Sequence, residues 1–403
     1  MTYVNAVKYM MSLPTGDANI ERAHKILDSL GSPHRQLRSL HICGKYGKNS
    51  CSRMISSILS KCSLTVGEYS PYRKNELRET ISINGKLISH DCFAELVQKV
   101  SGAYVSISED TPTFEEALVL CAILYFENMG CDLAIFEKGL RKNDAANVTD
   151  APMVSVVASM AEASDEELSF HDIFRKGTRE TVTCPQSKVI FNQIYESCVN
   201  IGSRLTVPIY GDLEIHRINL FKTFFSYRGG SYSIRSFSPC QTVNAITAIE
   251  AANALSRVGL QISDEQIALG LEAALLPHKC EAISVEPAII VSDATDGVRL
   301  STLWASVAQI KELICGKVCV AVDSTLEIPQ EKVKNALASC NIELESFCNV
   351  SDDMTPARFS KTIRSLISPL LTEDGKNDAL IIIGKTDFII NISTVIRKEL
   401  GKI

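Results

Sequence analysis

Residues 37–61 read LRSLHICGKYGKNSCSRMISSILSK. LRSLHIC is an apolar run of strand length and reads as a buried strand. GKYGKNS, residues 44–50, is a glycine turn, and CSRMISSILSK carries on as a helix. The placement of the turn matters more than its letters. Glycines between a strand and a helix let the backbone aim its amide N–H groups, and the helix N-terminus, at an anion. On that reading Lys48 meets the β- and γ-phosphates of a nucleotide and Ser50 offers a hydroxyl to Mg²⁺. The match is incomplete. The usual pattern has glycine five residues before Gly47-Lys48, where Ile42 stands. It has Ser or Thr directly after the lysine, where Asn49 stands. A plain glycine turn with Lys48 in solvent is the competing reading.

The flanking sequence repeats the alternation. Upstream, ERAHKILDSL sets Ile26, Leu27 and Leu30 on one helix face, with Gly31 as its stop. Downstream, SLTVGEY is a second strand, and ETISINGKLIS is a hairpin turning at Asn84-Gly85. The long apolar helix TFEEALVLCAILYFENMG is expected to lie on a sheet, and DLAIFE and MVSVVAS are further buried strands. Strand and helix in alternation predict a parallel sheet covered on both sides. Residues 161–183 are polar, and 188–234 read as several strands and one short helix. QTVNAITAIEAANALSRVG is a strong helix, and Ser263 with Gln266 forms a capping box for the next. After Pro277 the pattern restarts. AIIVS, KVCVAVD, IELESFC and ALIIIG are strands with helices between them, closing on FIINISTVIRKEL. That predicts a second α/β domain, with the boundary near residue 281.

Composition narrows the function classes. The chain has 403 residues, 45% hydrophobic and 22% charged, so it has material for two or three domain cores. A net charge of −6 argues against a nucleic-acid partner. No apolar run reaches the roughly 20 residues that span a bilayer. MTYVNAVKYMMSLPTG has no signal-peptide pattern, so a cytoplasmic protein without a membrane partner is expected. The 14 cysteines are scattered without a CxxC pair and read as free thiols. Cys315 and Cys319 have no second pair to complete a zinc site. The seven histidines form neither HxxxH nor HExxH, and there is no GxSxG elbow.

Longer matches gather around the loop. Leu30-Gly31-Ser32-Pro33 precedes it. Ser70-Pro71-Tyr72-Arg73, Glu79-Thr80-Ile81, Asn84-Gly85 and Ile88-Ser89 follow. Then come Thr113-Phe114-Glu115-Glu116, Glu137-Lys138-Gly139-Leu140 with Asp144-Ala145-Ala146-Asn147, Pro239-Cys240-Gln241-Thr242-Val243-Asn244, and Gly384-Lys385-Thr386. In this order, along nearly the whole chain, they resemble the folylpolyglutamate and dihydrofolate synthases, the folate branch of the ATP-dependent Mur ligases. The resemblance implies an α/β fold. A Mur-ligase-like phosphate-loop ATPase domain with a mostly parallel sheet occupies residues 1–280. A smaller Rossmann-like C-terminal domain occupies residues 281–403.

It also implies a reaction. ATP activates a folate or dihydropteroate carboxylate as an acyl phosphate, and L-glutamate attacks it to form an amide, with ADP and phosphate released. The partners are small molecules, the cofactors ATP and Mg²⁺, and the chain a monomer. Carried over residue by residue, Gly44, Lys45, Gly47, Lys48, Asn49, Ser50, Gln241, Asn244 and Lys279 bind ATP. Ser50 and Glu137 hold the metal, Ser70, Pro71, Tyr72 and Arg73 meet the substrate, and Lys48 and Lys176 are catalytic, Lys176 as the candidate for a carbamylated lysine. Several family positions differ. Lys45 and Tyr46 replace Thr and Asn, and Asn49 replaces a glycine. Ser164 replaces a metal-binding histidine, and Lys279 an arginine. Ser292 and Thr295 replace an aspartate and a histidine. These changes define the alternative, a pseudoenzyme that keeps the scaffold as a nucleotide-binding or interaction module.

Overall fold

The computed structural model describes residues 1–71, 76–107, 111–140, 143–160, 174–286, 288–294, 300–314, 316–351, 354–371 and 378–401. The chain forms two compact units, and it passes between them more than once. The first contains Met1–Gly211 and Val243–Ala274, the second Asp212–Thr242 and Leu275–Ile403. The expected boundary at 281 thus falls inside the second unit, which also takes in a segment from before the Pro239–Arg257 helix.

The first unit is built on eight strands: β1 (Ser39–Cys43), β2 (Val66–Tyr69), β3 (Ile81–Ile83), β4 (Lys86–Leu87), β5 (Leu133–Glu137), β6 (Val154–Val157), β7 (Glu180–Thr183) and β8 (Arg204–Thr206). Their order is β4-β3-β2-β5-β1-β6-β7-β8. The run from β2 to β8 is parallel, and the hairpin of β3 and β4 adds two antiparallel edge strands. Its turn has Asn84 at φ 48° and Gly85 at φ 76°. Positive φ at both positions is what a tight hairpin needs, and these two residue types reach it most easily. β1 and β5 are buried along their whole length. The Phe114–Asn128 helix lies on the sheet and is buried on nearly every side, as its unbroken apolar sequence requires. Both halves of its capping box, Thr113 and Glu116, are formed.

β1 pairs with β5 on one side and β6 on the other. From β1 the chain goes to β2 on one side, and from β6 it goes to β7 on the other. The carboxyl ends of β1 and β6 therefore flank a switch point. There the connections diverge and leave a crevice for a ligand. The loop after β1 opens into it.

The second unit has two sheets. β9 (Leu213–Ile218), β10 (Thr223–Tyr227) and β11 (Gly230–Ile234) form an antiparallel meander. β12 (Glu281–Ser284), β13 (Ile289–Ala294), β14 (Val318–Asp323), β15 (Leu344–Val350) and β16 (Ala379–Gly384) take the order β12-β13-β16-β14-β15. All but β12 run parallel. Leu220 and Phe237, from the early segment, share a core with Trp304, Val320 and Ile381.

Candidate functional site

The loop Cys43–Gly47 is shaped by close contacts. Gly44 has φ +139°, and a Cβ there would stand 3.0 Å from Ala158. The N–H groups of Lys45 and Tyr46 both donate to the Ser159 carbonyl, each at 2.9 Å. That ties the loop to the chain just past β6. Gly47 has φ +82° and caps the Lys48–Ser60 helix. A Cβ on Gly47 would lie 2.6 Å from Asn244 Oδ1. Both glycines are therefore favoured by backbone conformation, and at each a Cβ would press on a neighbour.

The helix starts with no acidic residue in its first turn. Its first N–H groups lack partners within the helix, and the helix dipole is positive at this end. Lys48 is 7% exposed. Its ammonium curls back to the Gly44 carbonyl at 2.5 Å. Ser50, one turn in, is also buried. The arrangement is a cradle for an anion with a lysine at its lip.

Glu137 ends β5, beside Ile42 of β1. It is 1% exposed. Burial pushes its carboxyl up to about 7, against the Lys48 charge and the Ser70 and Asn49 side chains. Asn49 Nδ2 donates to Glu137 Oε1 at 3.2 Å. Glu137 Oε2 has no hydrogen-bond partner. A buried carboxylate with an unpartnered oxygen suits a hard cation such as Mg²⁺. Among the described residues, no group of three or more His, Cys, Asp or Glu side chains could hold a metal.

The other expected site residues divide. Asn244 stands behind Gly47, with its side chain and carbonyl against the Cys51 thiol. Gln241 is buried in the first turn of the Pro239–Arg257 helix. Ser70 follows β2 and its N–H donates to Thr80 O. Pro71 comes next. Tyr72, Arg73, Ser164 and Thr295 lie outside the described residues. Lys176 is exposed in the Arg175–Thr178 turn that leads into the amino end of β7. The loop follows the carboxyl end of β1, so the structure does not bring Lys176 to it through the sheet. Lys279 belongs to the second unit and donates to Ala294 O at 2.6 Å. It is flanked by His278 at φ 63° and Cys280 at φ 48°. Asp293 accepts from the Cys280 N–H at 3.0 Å, and burial raises its carboxyl. The neighbouring Ser292 is buried and its hydroxyl has no hydrogen-bond partner.

Two features escape a reading of the sequence. Lys138 is buried and donates to Asn147 Oδ1 at 2.7 Å. Asn49 contacts Glu137. The Asn49 contact follows from the pairing of β1 with β5, which sets Glu137 beside the loop, and the Lys138 contact from the way the chain after β5 turns back to Asn147.

Fold and loop together define a two-unit α/β protein with a glycine turn and a helix N-terminus at the switch point of its eight-stranded sheet. No family model matches the chain. The chain is similar in sequence to folylpolyglutamate and dihydrofolate synthases. The dihydrofolate synthase/folylpolyglutamate synthase of Bacillus subtilis is 26% identical over 314 residues, 68% of this chain and 68% of that protein. The probable bifunctional folylpolyglutamate synthase/dihydropteroate synthase of Halobacterium salinarum is 24% identical over 311 residues, 73% of this chain. The matched part spans 38% of that longer protein. The fold is that of the solved folylpolyglutamate synthases. The Lactobacillus casei structure has a TM-score of 0.79 at 21% identity over 100% of both chains. A complex of folylpolyglutamate synthase with AMPPCP and folate has a TM-score of 0.76, also at 21% identity over 100% of both.

Proposed function

We propose that the chain is an ATP-dependent amide ligase. It adds L-glutamate to a folate or dihydropteroate carboxylate through an acyl phosphate, and releases ADP and phosphate. The observation that carries this reading is the loop Gly44–Ser50 at the switch point with Glu137 beside it. The names of the relatives, and the AMPPCP and folate bound in a protein of the same fold, support it.

In this reading the N–H groups from Gly47 to Ser50 hold the phosphates of ATP, with Gly44, Lys45 and Asn49 shaping the cradle. Lys48 leaves the Gly44 carbonyl for the β- and γ-phosphates and offsets the charge that grows there during transfer. Ser50 and Glu137 are the chain's ligands for Mg²⁺, which when bound neutralises phosphate charge. Asn244 backs the loop, and Gln241 belongs to the nucleotide site. Lys279 is assigned to ATP on the sequence resemblance alone. Ser70, Pro71, Tyr72 and Arg73 are assigned to the folate acceptor. The acceptor carboxylate attacks the γ-phosphorus and ADP leaves. The glutamate amine then attacks the acyl carbon, loses a proton to solvent, and phosphate leaves. Exclusion of water from the site protects the acyl phosphate. Lys176 has no step here, since it is exposed ahead of β7. Among the described residues no helix is long and apolar enough to cross a membrane. The substrates are small molecules, and we place the protein in the cytoplasm as a monomer.

The test is direct. Purified protein is incubated with MgATP, bicarbonate, L-glutamate and a panel of pteroates and reduced folates. Mass spectrometry should find a product with one added glutamate, absent with Lys48→Ala and Glu137→Ala. A folded protein that makes no product beside an active relative would overturn the ligase and leave a binding scaffold.

A further inference from the structure

Asn49 stands where the resembled family has glycine, and both ends of its side chain are engaged. Nδ2 donates to Glu137 Oε1 at 3.2 Å, and Oδ1 accepts from Arg53 Nε at 3.1 Å. Arg53 lies one turn further along the same helix. Its guanidinium can only donate, so it selects the amide oxygen and turns the amide nitrogen toward Glu137. The backbone at Asn49 is helical, so a side chain there costs no left-handed strain.

Glu137 is buried; Oε1 is held in this way, the Ser70 side chain is a second partner of the carboxylate, and Oε2 is without a hydrogen-bond partner. We propose that Asn49, oriented by Arg53, is a positioning residue for Glu137: it fixes one carboxylate oxygen and leaves the other to a divalent cation. This rests on the reading of Glu137 as the carboxylate that meets the cation. A glycine at position 49 would free the backbone but leave Glu137 without that donor. The asparagine gives up that freedom and holds the ligand before the cation arrives.

Groups that orient a metal-binding side chain are worth roughly 10–100-fold in metal affinity. The experiment measures the dissociation constant of AMPPCP twice, in EDTA and in excess MnCl₂. The ratio of the two is the gain in affinity due to the cation. Wild type should show a gain, and Glu137→Gln should lose it. Asn49→Ala and Asn49→Gly should cut the gain about 10-fold, and because the gain is a ratio, any change they make in metal-free nucleotide binding divides out of it. Arg53→Ala should cut it by less, and because Arg53 is only partly buried this variant tests the arrangement even if position 49 is intolerant. A role in helix packing alone would move the melting temperature and not this ratio. If both Asn49 variants keep the full gain while Glu137→Gln loses it, the positioning role is wrong and the cation reading stands. If Glu137→Gln keeps the gain, or wild type binds no AMPPCP, the cation reading fails and this proposal goes with it.

Discussion

His278 and Cys280 hold left-handed backbone without being glycine. Side chains reach that region at a cost of roughly 1–2 kcal/mol. Together they bend the chain so that Lys279 reaches Ala294 O and the Cys280 N–H reaches Asp293. His278→Gly should therefore raise stability by about 0.5–1 kcal/mol, less than the full strain because glycine also frees the unfolded chain. Urea unfolding at a constant slope measures it. A drop in the midpoint would mean the His278 side chain contributes more than its backbone costs. A second residue sets a pH response. His41 is wholly buried, its Nε2 paired with Thr149 Oγ1 at 2.9 Å. Burial, then the Lys138 and Arg175 charges, lowers its pKa well below the usual value. The folded ring stays neutral while the unfolded one takes a proton below pH ~6.5. Its contribution is complete above that pH and is lost as pH falls. Against His41→Leu, the wild type should lose stability steadily as pH falls from 7 to 5. A gap that does not change with pH would show that His41 takes up its proton in the fold as readily as in the unfolded chain. At this scale the sequence was legible where chemistry follows local order. Lys48 sits after glycines, and Glu137 ends a strand. Asn49 was legible only as a departure, because its partner is 88 positions away.

The helices around the loop show how a single element can depend on one atom. The Asp264–Ala273 helix crosses the Lys48–Ser60 helix at Gly270. There a Cβ would come within 2.3 Å of Ile58 Cα and 2.7 Å of Ile58 N. Ser57 Oγ donates to Gly270 O at 2.7 Å across the same crossing. Backbone cannot yield as a flexible side chain can, so Gly270→Ala should cost about 2–3 kcal/mol. It should also weaken AMPPCP binding, since the displaced helix carries the loop. Normal stability in chemical denaturation would show that the helices separate easily. Elements with strong local signals were foreseen. The capping box of Ser263 and Gln266 is present in both halves, and the Asn84-Gly85 hairpin forms. Residues 188–234 were read less well. They hold the Lys188–Ile201 helix of 14 residues and then short strands. β9 is exposed along most of its length, so it shows no apolar alternation to read. β12 is four residues long and half-buried, and it gave no signal of its own.

For the molecule as a whole, the two-domain plan was legible from the restart of the strand and helix pattern after Pro277. The weaving of the chain was not. Nothing local in Asp212–Thr242 says that it packs with strands that come more than a hundred residues later. Leu220 and Phe237 complete the core of the later sheet, and so does Cys280. A fragment of residues 281–403 lacks all three and should not fold by itself. Its amide NMR spectrum should be poorly dispersed and its unfolding non-cooperative. A well-dispersed spectrum would show the five-stranded sheet to be self-sufficient. The same weaving sets an order in time. A ribosome delivers the last part of the first unit, Val243–Ala274, well before it delivers β16. At about 5–20 residues per second, the β9–β11 meander waits on the order of ten seconds for its partner sheet. Through that interval Leu220 and Phe237 have no core to enter. The nascent chain is most open to aggregation and to capture by chaperones while its first unit is already complete.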